Sequence, residues 1–413
     1  MSNNTQPEIR FPGFMEDWEQ RKLGELAESF EYGLNASAKK FDGSNKYIRI
    51  TDIDDISHKF NQSGVTSPDI DFASADNYKL KKGDILFART GASVGKTYMY
   101  RESDGLVYYA GFLIRARIKS KISSEFVFQT TFTDSYNRFI KITSQRSGQP
   151  GVNAEEYSNF KIMIPKYEEQ NAIGCFFKKI DDTITLHQRK LDLLKETKKG
   201  FLQKMFPKNG AKVPEIRFPG FTEDWEERKL NEGMTEYTDR VYIQDDEIYK
   251  QVSVKNVGEI TLRGEQIGSK IGRKRQAKVN LIEHPDTLIF TRQTIEQGGI
   301  GFAPKETDGA IVTENMPTID VDNDIINCNY LLAYVKTEDW YRKVILKNIE
   351  GGTAQIAIHE DSILFSEVLI PKIEEQQKIG AFFKQLDDTI TLHQRKLDLL
   401  KETKKGFLQK MFV

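Results

Sequence analysis

Two long segments of the chain share a regular pattern of apolar positions. From Glu168 to Met205 there is no proline, and apolar residues recur at alternating steps of four and three. This spacing puts them at the a and d positions of a heptad, along one face of a helix. A helix cannot bury such a face alone, so we predict that the two segments pack on each other as a coiled coil. The predicted seam contains Ile173, Phe177, Ile180, Ile184, His187, Leu191, Leu194, Lys198, Phe201 and Met205 in the first segment, and Ile379, Phe383, Leu386, Ile390, His393, Leu397, Leu400, Lys404, Phe407 and Met411 in the second.

Four of these seam positions are polar. His187 and His393, and likewise Lys198 and Lys404, stand where leucine would be more stabilising. A polar seam residue commonly fixes the register or orientation of a coiled coil at some cost in stability. We therefore predict a structural role for them rather than a catalytic or metal-binding one. If the two helices are related by a twofold axis that crosses them, they run antiparallel.

The chain is a tandem of two similar halves. Asp181 to Phe206 recurs letter for letter from Asp387 to Phe412, and the offset of 206 residues accounts for nearly the whole chain. The motif EIRFPGF, at Glu8 to Phe14, recurs at Glu215 to Phe221. The Ile-Pro-Lys and Glu-Glu-Gln motifs before each long helix also recur.

The repeat is identical even at outward-facing helix positions, where heptad packing does not require it. Two compatible explanations remain open. Either the duplication is recent, or each outward face docks the same partner, so that two copies bind by the same contacts. The outward positions in the first copy are Gln188, Arg189, Asp192, Lys195 and Glu196.

Two inserts that are poorly alike separate the repeated flanks, Glu25 to Phe160 and Glu232 to Leu364. Each alternates short β-branched or apolar runs with helical stretches, and this pattern predicts a mixed α/β (α+β) globule. The sequence PKNGAKVP at Pro207 to Pro214 is typical of a linker. The predicted strands include Tyr47 to Ile50, Asp84 to Ala88, Leu113 to Ile118, Thr287 to Thr291 and Thr318 to Val321, and the predicted helices Ser124 to Thr143 and Asn329 to Leu346.

Composition narrows the class of protein. The 413 residues suffice for about three structural units. Lys and Arg number 60 against 61 Asp and Glu, so nucleic-acid binding would depend on local patches rather than on net charge. No apolar run is long enough to cross a membrane and the first residues lack a secretory pattern, so we expect a cytoplasmic protein. Cys175 and Cys328 lack partners at zinc-ligand spacing, and we expect no metal site.

Motifs that suggest catalysis fail on inspection. Gly91 to Gly95 matches G-x-S-x-G, but another strand is predicted after it where a nucleophile elbow needs a helix. The same stretch resembles a Walker A loop, yet Thr90 occupies the position of its first glycine. We expect no active site in this chain. An enzyme that uses Ser93 or Lys96 is a weaker alternative.

Basic and amide residues in loops are the remaining candidates. The run Lys270 to Lys278 contains five cations, suited to phosphate neutralisation or, through arginine, to guanine edges. A solvated loop is the alternative. The loop Ser144 to Gly151 joins Arg, Gln and Ser donors to Gly and Pro, and its Gln149 corresponds to Gln355 by the 206-residue offset.

An arginine follows the same predicted strand in both halves. Phe87-Ala88-Arg89 corresponds to Phe290-Thr291-Arg292, followed by Thr90-Gly91 in one half and Gln293-Thr294 in the other. An ion-paired structural arginine is the alternative to a ligand contact. The candidate nucleic-acid contacts are Arg89, Thr90, Gly91, Lys96, Arg146, Ser147 and Gln149 in the first insert, and Lys270, Arg273, Lys274, Arg275, Arg292, Gln293 and Gln355 in the second.

The doubled order of these motifs resembles the specificity subunit of Type I restriction-modification systems, over the whole chain. The paired openings WEQRKLGE (Trp18 to Glu25) and WEERKLNE (Trp225 to Glu232), the stretch Gly83 to Gly91, the loop Ser147 to Asn153 and the Ile-Pro-Lys…Glu-Glu-Gln helix entries carry the resemblance. The second half departs from the pattern at Asn231, at Gln293-Thr294 and at Ile356-Ala357.

The resemblance implies a non-catalytic DNA-recognition subunit. Two target recognition domains, 1–166 and 215–372, would each recognise one half of a split double-stranded DNA target. The helices, 167–206 and 373–413, with 207–214 as linker, would set the spacer and bind two methyltransferase subunits. Those subunits would use S-adenosylmethionine to methylate adenine N6, and restriction subunits would use ATP and Mg²⁺, so no cofactor is expected here. A scaffold protein that pairs other proteins without sequence preference is the alternative.

Overall fold

The computed structural model describes residues 6–145, 148–208, 210–255, 258–349 and 357–413. The chain forms two compact units, Met1–Arg189 with Gln394–Val413, and Lys190–His393. We call them unit 1 and unit 2. Each contains one of the two inserts and a part of each long helix.

Unit 1 combines antiparallel strands with short helices. Its main sheet has the order β2-β9-β6-β7, and a second sheet has the order β3-β5-β4-β8, with β4 and β8 parallel. β1 pairs antiparallel with β10, the strand that directly precedes the first long helix. The strands are β1 (Glu19–Lys22), β2 (Ala27–Tyr32), β3 (Ala38–Lys40), β4 (Lys46–Ile48), β5 (Thr66–Pro68), β6 (Asp84–Ala88), β7 (Thr97–Met99), β8 (Val107–Tyr109), β9 (Leu113–Ile118) and β10 (Lys161–Ile164), and the helices are α1 (Leu23–Leu26), α2 (Ser124–Thr130), α3 (Asp134–Thr143), α4 (Ala154–Ser158) and α5 (Tyr167–Lys204).

Unit 2 repeats this plan with a larger second sheet. Its main sheet, β12-β20-β17-β18, corresponds to β2-β9-β6-β7, and its second sheet has the order β13-β16-β19-β14-β15. β11 and β21 pair as β1 and β10 do. The strands are β11 (Glu226–Lys229), β12 (Met234–Tyr237), β13 (Asp239–Tyr242), β14 (Ile248–Val254), β15 (Ile260–Ile267), β16 (Arg275–Lys278), β17 (Thr287–Phe290), β18 (Ile300–Phe302), β19 (Ile311–Val312), β20 (Thr318–Val321) and β21 (Glu367–Ile370), and the helices are α6 (Cys328–Tyr334), α7 (Glu338–Trp340), α8 (Glu360–Leu364) and α9 (Ile373–Met411).

Both helical stretches predicted inside the inserts contain helices, but each stretch is divided at a threonine. Thr133 separates α2 from α3: its hydroxyl donates to Thr130 O at 2.7 Å and accepts from Tyr136 N. Thr337 makes the same two bonds, to Tyr334 O and from Trp340 N, and a π-helical turn, Tyr341–Ile345, follows α7. A threonine that bonds to its local backbone in this way ends one helix and caps the next.

The repeated flanking motifs form equivalent contacts at the start of each long helix. Arg10 of the first EIRFPGF motif binds Glu169 through both carboxylate oxygens, at 2.7 and 2.8 Å, and Arg217 binds Glu375 in the same way. The next residue, Gln170, accepts a bond from Ser123 N and so holds the start of α2. These contacts explain why the motifs recur together although they are far apart in sequence.

Within each unit, the two long-helix segments run antiparallel. In unit 1 Phe176 packs on Phe407, with ring centroids 5.0 Å apart, and Lys404 binds Asp181 at 2.7 Å. In unit 2 the equivalent pairs are Phe382 with Phe201, also at 5.0 Å, and Lys198 with Asp387. The two polar lysines of the predicted seam therefore each pair with a carboxylate on the opposing helix segment.

The predicted seam faces the protein. Every one of its positions is buried or partly buried, whereas Arg189, Asp192, Lys195 and Glu196, predicted to face outward, are exposed; Gln188 is partly buried. The apolar residues at the cores of the units are nearly inaccessible, including Ile173, Phe177, Leu191, Ile379, Phe383 and Leu397.

Candidate nucleic-acid interface

Arg89 lies directly after the central strand β6 in unit 1. Its backbone N–H donates to Phe112 O at 3.0 Å, and its own carbonyl accepts from Val152 N at 2.9 Å. The guanidinium lies over the ring of Tyr32 at 5.0 Å and bonds weakly to Gly111 O. Since it has no carboxylate partner among the described residues of unit 1, its donors remain available to an external ligand.

The structure brings together the two loops that the sequence separates by almost 60 residues. Thr90 forms a β-bridge with Gly151, and Gly91 N donates to Pro150 O at 3.0 Å. Gly91 has φ of +73°, a left-handed backbone conformation that favours glycine, and Nε2 of Gln149 lies close to it. Arg89, Thr90, Gly91 and the exposed Gln149 thus form one continuous surface.

Two buried tyrosines, which the sequence analysis missed, anchor the base of this loop. The hydroxyl of Tyr157 donates to Ala88 O at 2.7 Å and accepts from Gly95 N, while Tyr136 donates to Gly95 O. Burial raises the pKa of both phenols above the ordinary value, so they remain protonated donors. The loop between β6 and β7 is therefore held at both ends.

Lys96 differs from the other candidates because its side chain faces the protein. The ammonium donates to Ile53 O at 3.1 Å, pairs with Asp55, and leaves the side chain only 12% exposed. DNA contact by Lys96 stays a prediction that this geometry does not favour. Gly91–Ser93 forms a single 3₁₀ turn before β7, so the stretch is neither a nucleophile elbow nor a phosphate loop.

Arg292 has the same backbone contacts in unit 2 as Arg89 in unit 1. Its N–H donates to Asn315 O, and its carbonyl accepts from Ile358 N, both at 3.0 Å. Its side chain, however, forms a two-bond pair with Glu360 at the start of α8, through Nε at 2.8 Å and Nη2 at 2.5 Å. Arg292 is therefore ion-paired, as one of the two interpretations offered by the sequence has it. It also borders a cleft, and contact with a ligand there stays a prediction.

That cleft has a volume of about 600 Å³ and lies between the two sheets of unit 2. Burial and the nearby Glu360 and Asp361 raise the pKa of Glu236, one of its lining residues. Four arginines also line the cleft, Arg240, Arg273, Arg275 and Arg292.

The basic run contributes unequally to this cleft. Arg273 pairs with Glu314, and Lys274 pairs with Asp245 and donates to Gly268 O at 2.8 Å. Arg275, on β16, has no ion pair among the described residues of unit 2 and lines the cleft. Arg240 also lines the cleft, although it was not among the candidates from the sequence. Lys270 and Gln293 are exposed. Three further candidates, Arg146, Ser147 and Gln355, lie outside the described residues.

The described residues offer neither a metal-ion site nor a membrane-spanning helix. They contain no cluster of three or more His, Cys, Asp or Glu side chains placed to hold a metal ion. Among the helices in the described part of the chain, none is long and apolar enough to span a membrane.

Comparisons with known proteins agree with the doubled architecture. The model of the Type I restriction modification DNA specificity domain matches twice, at residues 15–196 and 211–402. Two relatives come from Methanocaldococcus jannaschii. A candidate specificity subunit of the type I restriction enzyme MjaX is 23% identical over 95% of this chain and 92% of its own length. The type I restriction enzyme MjaVIII specificity subunit is 22% identical over 95% of this chain and 91% of its own length.

A solved structure supports the fold. The Type I restriction-modification S subunit from M. genitalium aligns over 99% of both chains with a TM-score of 0.65 at 13% identity. Because specificity subunits recognise DNA and leave the chemistry to other subunits, the chain is not an enzyme by itself. With both halves matched by the family model, this protein belongs to the Type I restriction-modification DNA specificity family.

Proposed function

We propose that each unit recognises one half of a bipartite DNA target. The observation that supports this most strongly is the equivalent placement of Arg89 and Arg292. Equivalent backbone bonds hold each arginine after the strand that precedes it, beside the exposed Gln149 loop in unit 1 and beside a cleft in unit 2. Arginine is the side chain best suited to paired contacts with guanine edges or phosphates.

The long helices, in this proposal, act as an antiparallel coiled coil that sets the spacer between the half-sites. α5 contains 38 residues, which corresponds to roughly 57 Å of helix. A helical ruler of that length is compatible with two sites about 34 Å apart on one face of DNA. The Lys404–Asp181 and Lys198–Asp387 pairs would fix its register.

The partners in this proposal are two methyltransferase subunits, joined by restriction subunits in the full complex. Those subunits would bind S-adenosylmethionine, ATP and Mg²⁺, direct adenine N6 methylation and carry out restriction, while this chain holds no cofactor. The experiment is a base-resolution map of N6-methyladenine in cells with the cognate methyltransferase subunit, with and without this protein. We expect a split motif only when the protein is present. No dependent motif, despite stable copurification with the methyltransferase, would favour the scaffold alternative.

Exposed leucines mark the surface on which each methyltransferase subunit would dock. Leu186 and Leu193 on α5 are 65% and 57% exposed, seven residues apart on one helix face, and Leu392 and Leu399 repeat them on α9. A groove of about 390 Å³ lies beside Leu392 in unit 2. Isolated exposed leucines are common, but their repetition on identical helix faces supports the proposal of two equivalent docking sites.

We expect the double variant Leu186→Glu/Leu193→Glu to lose one methyltransferase subunit. Charged groups on an apolar contact should weaken that site by about 30-fold or more, as loss of a hot spot does. Native mass spectrometry of the assembled complex would show one bound subunit in place of two. Leu346→Glu, at a leucine that is 56% exposed in unit 2 outside the long helices, is the matched control and should keep both.

We expect Glu360→Gln to relax recognition at the half-site of unit 2. The carboxylate holds Nε and Nη2 of Arg292 and so directs the remaining donors. Loss of one charge-assisted bond should reduce base discrimination there by about tenfold. The measurement is the methylation motif, in which the other half-site serves as the internal control. An unchanged motif with a lower melting temperature would make the pair purely structural.

A further inference from the structure

One exposed residue beside each arginine differs in chemistry between the units. In unit 1 it is Phe112, whose side chain is 61% exposed, and in unit 2 it is Asn315, also exposed. Each residue supplies the carbonyl that accepts the backbone N–H of its arginine, at 3.0 Å in both units. An exposed apolar ring beside a candidate DNA contact can pack against an apolar group on a base edge.

The strand register shows that the two positions are equivalent. Leu86 pairs with Arg115 in unit 1, and Ile289 pairs with Thr318 in unit 2. Both members of the second pair lie 203 residues after those of the first, as Asn315 lies 203 residues after Phe112. The correspondence therefore comes from the sheets themselves as well as from the bond to the arginine.

The same rigid turn presents both side chains. Leu113 N donates to Ala110 O, and the equivalent Met316 N donates to Thr313 O, both at 2.9 Å. In unit 1 the turn is also held by Gly111 N, which donates to Leu34 O at 2.7 Å. A side chain on a fixed backbone can recognise one base position with little loss of conformational entropy on binding.

The chemistry of base edges determines what each side chain could recognise. In the major groove the one apolar group on a base edge is the thymine 5-methyl, whereas asparagine pairs with N6 and N7 of adenine. On the basis of the proposed function, we propose that Phe112 recognises a thymine in the first half-site and that Asn315 recognises an adenine in the second. The two units would thus use one structural position to read opposite members of an A·T pair.

The closing experiment compares methylation motifs of the wild type, Phe112→Asn and Asn315→Phe, each with the cognate methyltransferase. We expect Phe112→Asn to lower the preference for thymine at one position of one half-site by about five- to 150-fold, in favour of adenine, and to leave the other half-site unchanged. Asn315→Phe should do the reverse. Met15→Asn, at an 83% exposed residue outside both inserts, should change neither half-site.

A DNA substitution tests the methyl contact directly. With the purified complex, uracil in place of that thymine removes only the 5-methyl group, and should weaken wild-type binding about fourfold but leave the Phe112→Ala variant insensitive. Equal sensitivity of both proteins, an unaltered motif, or a loss shared by both half-sites would each overturn the inference. If the wild type itself yields no split motif, it is the proposed function that fails.

Discussion

Replacing Arg10 with methionine is expected to destabilise unit 1 more than any other single change proposed here. Arg10 binds both oxygens of Glu169, whose side chain is 1% exposed. Without the guanidinium, the carboxylate is left buried and without its cation. Breaking a buried ion pair from one side typically costs 3–5 kcal/mol, and we expect about 3 kcal/mol because Arg10 lies nearer the surface.

Calorimetry would measure this as a fall of roughly 6 to 12 °C in the unfolding transition of unit 1. Lys166→Met is the matched control. It breaks the exposed pair with Glu16, in which the side chains are 70% and 61% exposed, and should not change the transition measurably. The double variant Arg10→Met/Glu169→Met should recover part of the loss, because both buried charges are then gone. An Arg10→Met protein that melts like the wild type would contradict the assignment.

The same ion pair shows what the sequence could and could not predict. The repeat placed EIRFPGF and Glu-Glu-Gln in both halves, but nothing in a single sequence states that Arg10 meets Glu169 across 159 positions. The long helices were predictable because heptad spacing is a local pattern, and the predicted helix from Glu168 to Met205 differs by one residue at each end from α5. Local periodicity thus predicts where helices and strands lie, whereas contacts between distant segments become visible only in the folded structure.

Three strands were also predictable from local pattern, whereas the division of each helical stretch inside the inserts was not. Asp84 to Ala88, Leu113 to Ile118 and Thr318 to Val321 match β6, β9 and β20 residue for residue. The breaks at Thr133 and Thr337 could not be predicted from the sequence, because threonine also occurs inside helices. Whether it ends a helix depends on which backbone groups its hydroxyl bonds, and only the structure shows this.

At the candidate interface, recurrence predicted the equivalent arginines but not their surroundings. Tyr32, under Arg89, comes from β2, the edge strand of the main sheet of unit 1. Arg240, in the cleft of unit 2, comes from β13, the edge strand of the second sheet. The pairing of Arg292 with Glu360 likewise joins residues 68 positions apart. These partners decide which donors of each arginine are already bonded, so the two units are expected to depend on their arginines to different degrees.

Arg89→Ala is accordingly expected to have the larger effect on DNA recognition. Arg89 has no carboxylate partner among the residues described in unit 1, and its guanidinium is oriented only by the ring of Tyr32 and by a 3.4 Å bond to Gly111 O. Its guanidinium can therefore form two parallel hydrogen bonds with one base edge. Loss of such a contact costs about 1–3 kcal/mol of discrimination, or roughly five- to 150-fold, at one position of one half-site.

The measurement that separates base recognition from phosphate binding is the salt dependence of affinity together with the motif. If Arg89 contacts a base, the variant should relax one position of one half-site and leave the slope of log affinity against log salt nearly unchanged. If it contacts a phosphate, binding should weaken uniformly over sequences and the slope should fall by about one. Arg21→Ala, at an exposed arginine in β1 that pairs with Glu19, provides the matched control and should alter neither quantity. If Arg89→Ala changes neither the methylation motif nor the salt slope, Arg89 does not contact DNA. Gln149 and Phe112 would then be the exposed candidates on that surface.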